Sequence, residues 1–511
     1  MRLKPFICIA LFILLLACSG KVAKEESPES LFELGLNYLK GNDSLDIDMD
    51  KEKGIVLIRR SAEQGYADAQ FNLGLAYYRG EGVSEDETQA IYWWRKAAEQ
   101  GYAHAQYGLG EAYNQGKGVP QDYTQAVYWY RKAAEQGDVI AQYNLGAFYN
   151  QGKGVPQDYV QAVYWLRKAA EQGYADAQYH LSAFYNQGKG VPQDYVQAVY
   201  WLREAAEQGY ADAQSHLGRC YYNGEGVPQD YTQSVYWYRK AAEQGGAAAQ
   251  NNLGNAYHNG EGVSQDYTQA VYWWRKAAEQ GNAGAQFYLG NAYYFGEGVS
   301  ADKVQGGYWY RKAAEQGYAA AQNSLGIYYY DGIGVSQDYI QAVSWWRKAA
   351  EQGNADAQYN LGSAYYFGEG VSADGTQAVY WWRKAAEQGY AAAQNGLGTC
   401  YYDGIGVSQD YTQTVYWYRK AAEQGNVKAQ FNLGVCYNKG DGIPMNKPQA
   451  VYWWRKAAEQ GDADAQYNLG RAYWLGDGVS EDKPQAVYWW RKAAEQGNPM
   501  AIKILSNIEN N

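Results

Sequence analysis

Residues 67–102 read ADAQFNLGLAYYRGEGVSEDETQAIYWWRKAAEQGY, and this 36-residue unit decides the fold. Its closing string Ala-Glu-Gln-Gly first occurs at Ala62–Gly65 and returns every 36 residues until Ala494–Gly497. Residues 67–498 are therefore twelve equal units without an insertion. A fixed period of this size is typical of stacked repeat proteins, in which each unit packs only on its neighbours.

Each unit predicts two helices joined by a glycine-containing loop. The first, helix A, runs from about Ala67 to Arg79, where small and large apolar residues recur at three- and four-residue spacing. Gly80 and Gly82 end it, because glycine adopts the left-handed conformation that closes a helix. Asp86 stands three residues before Gln89, the spacing of a capping box in which each side chain accepts the other residue's backbone N–H. We therefore expect the second helix, helix B, to start there, and the fold to be an all-α solenoid of about 13 helical hairpins.

The residues of the unit spell Ala-x-Ala-x-x-x-Leu-Gly-x-x-Tyr-x-x-Gly-x-Gly-Val, then Asp, then Ala-x-x-Trp-x-x-Lys-Ala-Ala-Glu-Gln-Gly. This pattern resembles the Sel1-like repeat, a relative of the tetratricopeptide repeat. The resemblance implies a superhelix whose helices A line the concave surface, and a role as an adaptor that binds protein partners. Leu34-Gly35, Tyr38 and Gly41 match the pattern at an offset of 39, so residues 31–66 are expected to form a divergent N-terminal capping repeat.

The C-terminal residues 499–511 predict one more helix A that closes the stack. Ala501 and Leu505 keep the register of the repeat, and Asn498-Pro499 supplies an N-cap residue followed by proline at the first helical position. With residues 67–498 as the twelve repeats, these caps make a single repeat domain.

The N-terminus carries an export signal, in which Arg2 and Lys4 precede an apolar run over residues 6–16. This run is shorter than the ~20 residues of a membrane-spanning helix. It ends in Leu-Leu-Ala-Cys at Cys18, which resembles the lipobox of bacterial lipoproteins. An ordinary secretory signal that happens to end in cysteine is the alternative interpretation.

The lipobox resemblance implies where the protein is held. Residues 1–17 would be the signal peptide, and Cys18 would carry the lipid at the head of a tether, residues 18–30. Ser19, rather than Asp, after the cysteine implies the outer membrane of a two-membrane bacterium. We therefore expect a cell-envelope lipoprotein that faces the periplasm or the surface and meets the membrane through its N-terminal lipid.

Charge and residue placement argue against several functional classes. The net charge of -11 does not favour nucleic-acid binding, which needs clustered Lys and Arg. The four histidines fall at three different repeat positions without a ligand partner at i+4, so no metal and no cofactor is expected. Ser-x-x-Lys strings at Ser300–Lys303 and Ser480–Lys483 match the nucleophile pattern of penicillin-recognising enzymes, but lack an accompanying Lys-Thr-Gly. We expect them to initiate helix B, and the protein not to be an enzyme.

Cysteine and tryptophan predict a packed interior. Cys220, Cys400 and Cys436 each replace the alanine of Leu-Gly-x-Ala-Tyr, so they are expected to be unpaired core residues. Of the 19 tryptophans, twelve occupy the position of Trp93 and six that of Trp94, which indicates a scaffold role.

The positions that the repeat leaves free on helix A suggest where a partner binds. They are polar and amide-rich in the repeats that start near residues 139 and 175, and aromatic in those near 283 and 355. Aromatic residues are enriched in interfaces. The predicted partner-binding residues are Phe287, Tyr288, Tyr294, Phe295, Tyr330, Tyr366 and Phe367, although the same residues could instead fill gaps between neighbouring helices A.

The sequence thus predicts a non-enzymatic envelope lipoprotein that acts as an interaction scaffold for protein or peptide partners. Two alternatives stay open. One is a penicillin-recognising, β-lactamase-like envelope enzyme; the other is a protein that binds peptidoglycan or another glycan by stacking sugars on its aromatic residues.

Overall fold

The computed structural model describes residues 27–45 and 47–509, and the expected signal peptide and Cys18 lie outside them. The described residues contain 27 α-helices and no β-strand, which confirms the all-α fold. The helices form two compact units, the first ending at Gln244 and the second beginning at Gly245. Within each unit, helix B packs against its own helix A and against helix A of the next repeat.

The first unit opens with the capping repeat, and its first helix begins at Pro28, three residues before the expected start. Ser27 caps this helix by accepting the backbone N–H of Ser30. The capping repeat comprises α1 (Pro28–Lys40), a 3-10 turn (Asp43–Leu45) and α2 (Lys51–Glu63). The helices A and B that follow are, in chain order, α3 (Ala67–Arg79), α4 (Glu87–Glu99), α5 (Ala103–Gln115), α6 (Tyr123–Glu135), α7 (Val139–Gln151), α8 (Tyr159–Glu171), α9 (Ala175–Gln187), α10 (Tyr195–Glu207), α11 (Ala211–Asn223) and α12 (Tyr231–Glu243).

The second unit continues the same alternation and ends with the predicted capping helix. Asn498 caps that last helix by accepting the N–H of Ala501 at 3.0 Å. The helices are α13 (Ala247–Asn259), α14 (Tyr267–Glu279), α15 (Ala283–Phe295), α16 (Lys303–Glu315), α17 (Ala319–Asp331), α18 (Tyr339–Glu351), α19 (Ala355–Phe367), α20 (Gly375–Glu387), α21 (Ala391–Asp403), α22 (Tyr411–Glu423), α23 (Val427–Lys439), α24 (Lys447–Glu459), α25 (Ala463–Leu475), α26 (Lys483–Glu495) and α27 (Pro499–Glu509). Among the residues that the structure describes, none of the helices is long and apolar enough to cross a membrane.

The helix ends follow the predicted signals with one difference. Gly80 closes α3 in the left-handed conformation, at φ +67°. Asp86 caps α4 by accepting the N–H of Gln89 at 2.9 Å. The N–H of Asp86 itself donates to the carbonyl of Tyr77 at 2.9 Å. The capping box is therefore one-sided, because the loop folds back on helix A, and the Tyr77 carbonyl of that helix is the acceptor that the Gln89 side chain was expected to provide.

The Leu-Gly pair of the repeat pattern makes room for the aromatic residue of helix B. A Cβ atom at Gly74 would collide with the ring of Trp94, so only glycine fits opposite that indole. All twelve residues at the Trp94 position, through Trp490, are buried, as are Trp93 and six of its equivalents. The scaffold role predicted for these tryptophans is confirmed at those positions, where each ring packs between helices of the same or the adjacent repeat.

A ladder of buried glutamines links the hairpins, and the sequence interpretation missed it. Gln70 lies in the interior, where its Nε2 donates to the carbonyl of Ala62 at 3.1 Å and its Oε1 accepts from Gln100 at 2.7 Å. Gln322 repeats both contacts with Ala314 and Gln352. This explains the glutamine that follows the second alanine of helix A, and the glutamine of Ala-Glu-Gln-Gly, because each needs the other as a partner.

The three cysteines predicted to lie unpaired in the core do so. Cys220, Cys400 and Cys436 are free and buried on helices A. Burial raises the pKa of the Cys220 thiol to about 11 and of the Cys400 and Cys436 thiols to about 12. These thiols therefore serve as small packing residues and are poor nucleophiles at neutral pH.

Candidate partner-binding site

The seven aromatic residues predicted to bind a partner lie on α15, α17 and α19 of the second unit, and they fall into two groups. Five are half-buried and pack into the core of that unit. Phe287 contacts the rings of Tyr310 and Tyr318, and Tyr288 stacks on Trp274 with the ring centroids 5.3 Å apart. These contacts fit the alternative role, in which such residues fill gaps between helices.

Tyr294, Tyr330 and Tyr366 occupy one position in three successive repeats, and each is held by a neighbour. Tyr294 packs against Tyr328, and Tyr366 against Trp382. The Tyr330 hydroxyl donates to Glu369 at 2.8 Å, and this hydrogen bond, with burial, raises its pKa to about 12. All three rings thus brace neighbouring helices, which leaves little of their surface for a partner.

Phe295 and Phe367 form the second group, and they are the exposed members of the set. Their relative exposures are 64% and 67%, and they stand at the same position two repeats apart, with Asp331 at that position in between. Each contacts, edge to face, only the tyrosine that precedes it among the ring pairs of the described residues. An exposed phenylalanine at the end of helix A has no packing role that explains it.

A feature that the sequence interpretation did not find lies in the first unit. It is a cleft of about 710 Å³ between the helices A of three successive repeats, α3, α5 and α7. We call it the N-terminal cleft. Its lining is mainly apolar and includes Phe71, Leu75, Trp94, Ala112, Val139 and Ile140. The expectation of a polar, amide-rich helix A face concerned the repeats near residues 139 and 175, and only the first of these lines this cleft, through Val139 and Ile140.

A glycine opens the floor of the N-terminal cleft. Gly108 lies on α5 where the neighbouring repeats carry Asn72 and Asn144. A Cβ atom there would lie 3.4 Å from Cε3 of Trp94, so the missing side chain exposes space above that indole. Gly396 is the other glycine at this repeat position. Two features of the sequence could have indicated the cleft: the glycine at position 108, where the neighbouring repeats carry asparagine, and the apolar Leu75.

The two carboxylates of the N-terminal cleft are committed to the fold. Glu111 accepts the hydroxyl of Tyr130 at 2.5 Å and the side-chain amides of Asn144 and Gln115 at 3.0 and 2.8 Å. Asp138 caps α7 through the N–H of Ala141 at 2.8 Å, and its second oxygen lies 3.4 Å from Nδ1 of His104. Both carboxylates are therefore engaged by groups of the fold.

The basic groups at the mouth of the N-terminal cleft are held loosely. Arg79 lies 3.9 Å from Glu81, and both side chains are about half exposed. Lys117 is exposed, and its Nζ donates to the Tyr78 hydroxyl at 3.2 Å, which raises the pKa of the lysine. Surface pairs of this kind contribute little to stability.

The repeat geometry described above has known counterparts. The family model of the Sel1 repeat matches residues 28–66 and then every 36-residue unit from 67–102 to 463–498. The chain belongs to the Sel1 repeat family. The match includes the N-terminal repeat, whose two helices and longer loop depart from the later units.

Two solved structures of Sel1 repeat proteins are similar to this chain, one of them over most of its length. A protective antigen present in uropathogenic Escherichia coli strains, displaying an SLR fold, is 40% identical, covers 88% of this chain and 97% of its own, and superimposes with a TM-score of 0.75. A Sel1 repeat protein from Oxalobacter formigenes is 36% identical over 48% of this chain and 96% of its own, with a TM-score of 0.44. No curated protein matches the chain.

The Sel1 repeat chain shows helix-initiating, rather than catalytic, geometry at its Ser-x-x-Lys strings. Lys303 is the first residue of α16, and Asp302 caps that helix by accepting the N–H groups of Val304 and Gln305 at 3.0 Å. Lys483 begins α26 in the same way after Asp482. Over residues 27–45 and 47–509, no group of three or more His, Cys, Asp or Glu is placed to hold a metal ion. Sel1 repeat proteins are generally scaffolds without enzymatic activity.

Proposed function

We propose that this Sel1 repeat protein is a lipid-anchored scaffold of a bacterial envelope that binds protein partners through its helices A. The observation that carries the proposal is unexplained apolar surface on those helices in each unit. In the first unit it is the N-terminal cleft, and in the second it is Phe295 and Phe367. Aromatic anchors and apolar pockets supply most of the binding free energy in protein interfaces.

We also propose that the protein catalyses no reaction, and the side chains that are already engaged within the fold support this. The carboxylates of the N-terminal cleft are satisfied by donors within the fold, and the cysteine thiols are buried with raised pKa values. The Ser-x-x-Lys strings initiate helices. A scaffold needs only a fixed surface, and the twelve-fold repetition of one hairpin supplies that.

The envelope location is supported by the lipobox-like residues before Cys18 and by the relative from uropathogenic Escherichia coli, which is a protective antigen. We propose the outer membrane as the site of anchoring, with the repeat units on the periplasmic or outer side.

Site-specific photo-crosslinking in living cells tests the binding surface. A photoreactive phenylalanine replaces Phe295 or Phe367 in one set of strains and the exposed helix B residues Tyr308 or Tyr380 in a matched set. We expect one discrete adduct from the helix A positions and none from the helix B positions, and mass spectrometry then identifies the partner. Adducts that form equally at both sets, or only on helix B, contradict the proposed surface.

The anchor is tested separately with Cys18→Ser. We expect this variant to remain unprocessed or to become soluble, whereas the wild-type protein fractionates with the outer membrane and its N-terminal peptide carries an acyl mass. A Cys8→Ser variant, altered within the signal peptide, serves as the control and keeps the anchor. Membrane attachment of mature protein without an acyl mass would show that the lipoprotein assignment is wrong.

A second candidate function, glycan binding, is favoured by one observation on helix B. Tyr92 and its equivalents in ten further repeats are 46–50% exposed, and Ser344 stands at that position in the remaining one. Each packs edge to face on the tryptophan that follows it in the sequence, as Tyr92 does on Trp93 at 5.1 Å between ring centroids. Such rings can stack on sugars, so purified sacculi and capsular polysaccharide serve as pull-down ligands. Retention that is lost when four of these tyrosines become serine would favour this function over a protein partner.

A further inference from the structure

A small polar cavity in the second unit is surrounded by three cationic side chains. It has a volume of about 260 Å³ and lies between α23, α24 and α25, and we call it the cationic cavity. The charged residues of its lining are Lys439, Lys447, Arg471 and Asp477. We propose that the cationic cavity binds a phosphomonoester group, whose oxygens are held by the two lysines and the arginine. This site goes beyond the proposed scaffold function and does not depend on it.

The three cations come from three different positions of the repeat, and each is a departure from what other repeats carry there. Lys439 ends α23, where three earlier repeats carry glutamine. Lys447 begins α24, where seven repeats carry tyrosine, and Arg471 lies on α25, where two repeats carry alanine. The fold brings the three together because α24 packs against both α23 and α25.

The positive charges of the cationic cavity are only partly compensated. Asp477 pairs with Lys447 at 3.0 Å, and the side-chain oxygen of Asn438 accepts a second N–H of that ammonium group at 3.0 Å. Lys439 donates to the uncharged hydroxyl of Tyr402 at 3.0 Å. Arg471 is exposed and makes no ion pair with another described residue. Two of the three cations are therefore left without an ion pair.

A second carboxylate, Asp441, lies near the cationic cavity but outside its lining. It accepts the Tyr402 hydroxyl at 3.2 Å. The hydrogen bond from Lys439 to that hydroxyl, and to a smaller extent the charge of Asp441, raise the pKa of Lys439, so the lysine stays protonated at neutral pH. With Asp441 counted, three cations still face two carboxylates, and the local excess of charge is positive in a chain whose net charge is -11.

A phosphomonoester fits the charge and the size of the cationic cavity. Such a group carries a charge of about -1.5 to -2 at pH 7, which matches two cations without an ion pair better than the single charge of a carboxylate does. Arginine binds phosphate oxygens in pairs, and a lysine ammonium binds them as a point charge. The volume lies below the ~300–1,000 Å³ of pockets for drug-sized ligands, which favours a small group. Val435 and Ala472 add apolar wall that strengthens the field of the cations.

The first unit contains an equivalent cavity of about 160 Å³, in the repeats that start at residues 175 and 211. Arg219 and Glu225 keep the arginine and the acid of the cationic cavity, but Gln187 and Tyr195 stand in place of the two lysines. Burial lowers the pKa of His216 in the same lining, so this histidine is uncharged at neutral pH. One cation there faces one carboxylate, and we expect no phosphate binding. The chain thus supplies its own matched control.

Isothermal titration calorimetry of the purified mature protein tests the site. The ligands are glycerol 3-phosphate, which represents a soluble phosphomonoester, and a short-chain, water-soluble phosphatidic acid, which represents a lipid headgroup. We expect a single site per chain for at least one of them, and no binding of glycerol or acetate. Lys439→Gln and Arg471→Ala should each weaken binding roughly tenfold or more, because each removes charge-assisted hydrogen bonds. Arg219→Ala, the matched change in the first unit, should leave the affinity unchanged.

The outcomes identify the source of the phosphate and separate this site from the scaffold function. Both lysine and arginine variants install a residue that other repeats carry at the same position, and thermal melts establish that they are folded. Tighter binding of phosphatidic acid identifies a lipid headgroup, and tighter binding of glycerol 3-phosphate a soluble ligand. Absence of binding for both phosphates, equal binding of acetate, or unchanged affinity in Lys439→Gln and Arg471→Ala overturns the site. The scaffold function would then still stand or fall by the crosslinks at Phe295 and Phe367.

Discussion

Replacing one glutamine of the buried ladder by leucine should destabilise the second unit by about 2 kcal/mol. Gln322 is 4% exposed; its Nε2 donates to the Ala314 carbonyl at 3.1 Å, and its Oε1 accepts from Gln352 at 2.8 Å. Gln322→Leu removes both bonds, each of which contributes roughly 1 kcal/mol net. The remaining partners are not stranded, because Ala314 still accepts from Gly317 and Gln352 still reaches the carbonyl of Lys348. The additional penalty for an unpaired buried group therefore does not apply.

The measurement is the free energy of unfolding from urea titration, followed by far-UV circular dichroism. Gln337→Leu is the matched control, because Gln337 is exposed in the same repeat and donates one surface bond to the Tyr330 carbonyl at 2.8 Å. It should change the unfolding free energy by no more than about 0.5 kcal/mol. Equal losses for the two variants, or no loss for Gln322→Leu, would refute the ladder as a stabilising element.

A charge at the same place gives the prediction a pH dependence. In Gln322→Glu the ionised carboxylate would face the Ala314 carbonyl, so the pKa of the new carboxyl should rise above its unfolded value of ~4.3. A group whose pKa is raised on folding contributes stability that is present below the unfolded pKa and is lost as the pH rises through the folded pKa. The deficit relative to wild type should therefore be smallest near pH 4 and grow towards pH 8. A deficit that shrinks with rising pH would contradict this geometry.

Three further predictions follow from burial. Trp273→Ala should lower the free energy of unfolding by ~3–5 kcal/mol as a large core truncation, whereas Phe295→Ala should change it by less than about 0.5 kcal/mol; equal losses in urea titrations would show that core and surface are wrongly assigned. The free thiols should react with Ellman's reagent at pH 7.5 only after unfolding, since burial raises the pKa of Cys400 to about 12; rapid labelling of the native protein would contradict this. Deleting residues 139–210, a block of two whole repeats, should leave a folded chain by circular dichroism, because residue 211 then follows residue 138 in the register of the repeat; a loss of helicity per residue would contradict this.

The scaffold could be predicted from sequence because repetition averages over many copies of the same local signal. Helix A of the first full repeat begins and ends at Ala67 and Arg79 as expected, and Asp86 caps helix B. These ends depend on glycine conformation and side-chain capping, which act within a few residues. The glutamine ladder was missed because its partners are 8 and 30 residues apart, and no periodicity rule pairs two polar residues across hairpins.

The candidate site was harder to predict, because aromatic composition does not distinguish a packed ring from an exposed one. Tyr294 and Phe295 are adjacent in the sequence, yet the first packs on Tyr328 and the second is exposed to solvent. The N-terminal cleft depends on a side chain that is missing, at Gly108, and on the three-dimensional proximity of three repeats. The glycine is visible in the sequence, but the open space that it leaves follows only once the packing of helix A on helix B is known.

Departures from the repeat consensus on helix A are of two kinds, and the distinction identifies which of them bear on function. Some are coupled to the core, because a polar residue on helix A bonds the hydroxyl of a buried tyrosine on helix B, as Asn291 does for Tyr310 and Thr399 for Tyr418. Where helix B carries Leu166 instead, the corresponding position is Ala147. Such pairs change together to keep a buried hydroxyl satisfied, and a binding role is not needed to explain them. Gly108, Phe295 and Phe367 have no compensating partner of this kind among the described contacts, so they are the departures at which the proposed binding role can be tested without disturbing a buried hydrogen bond.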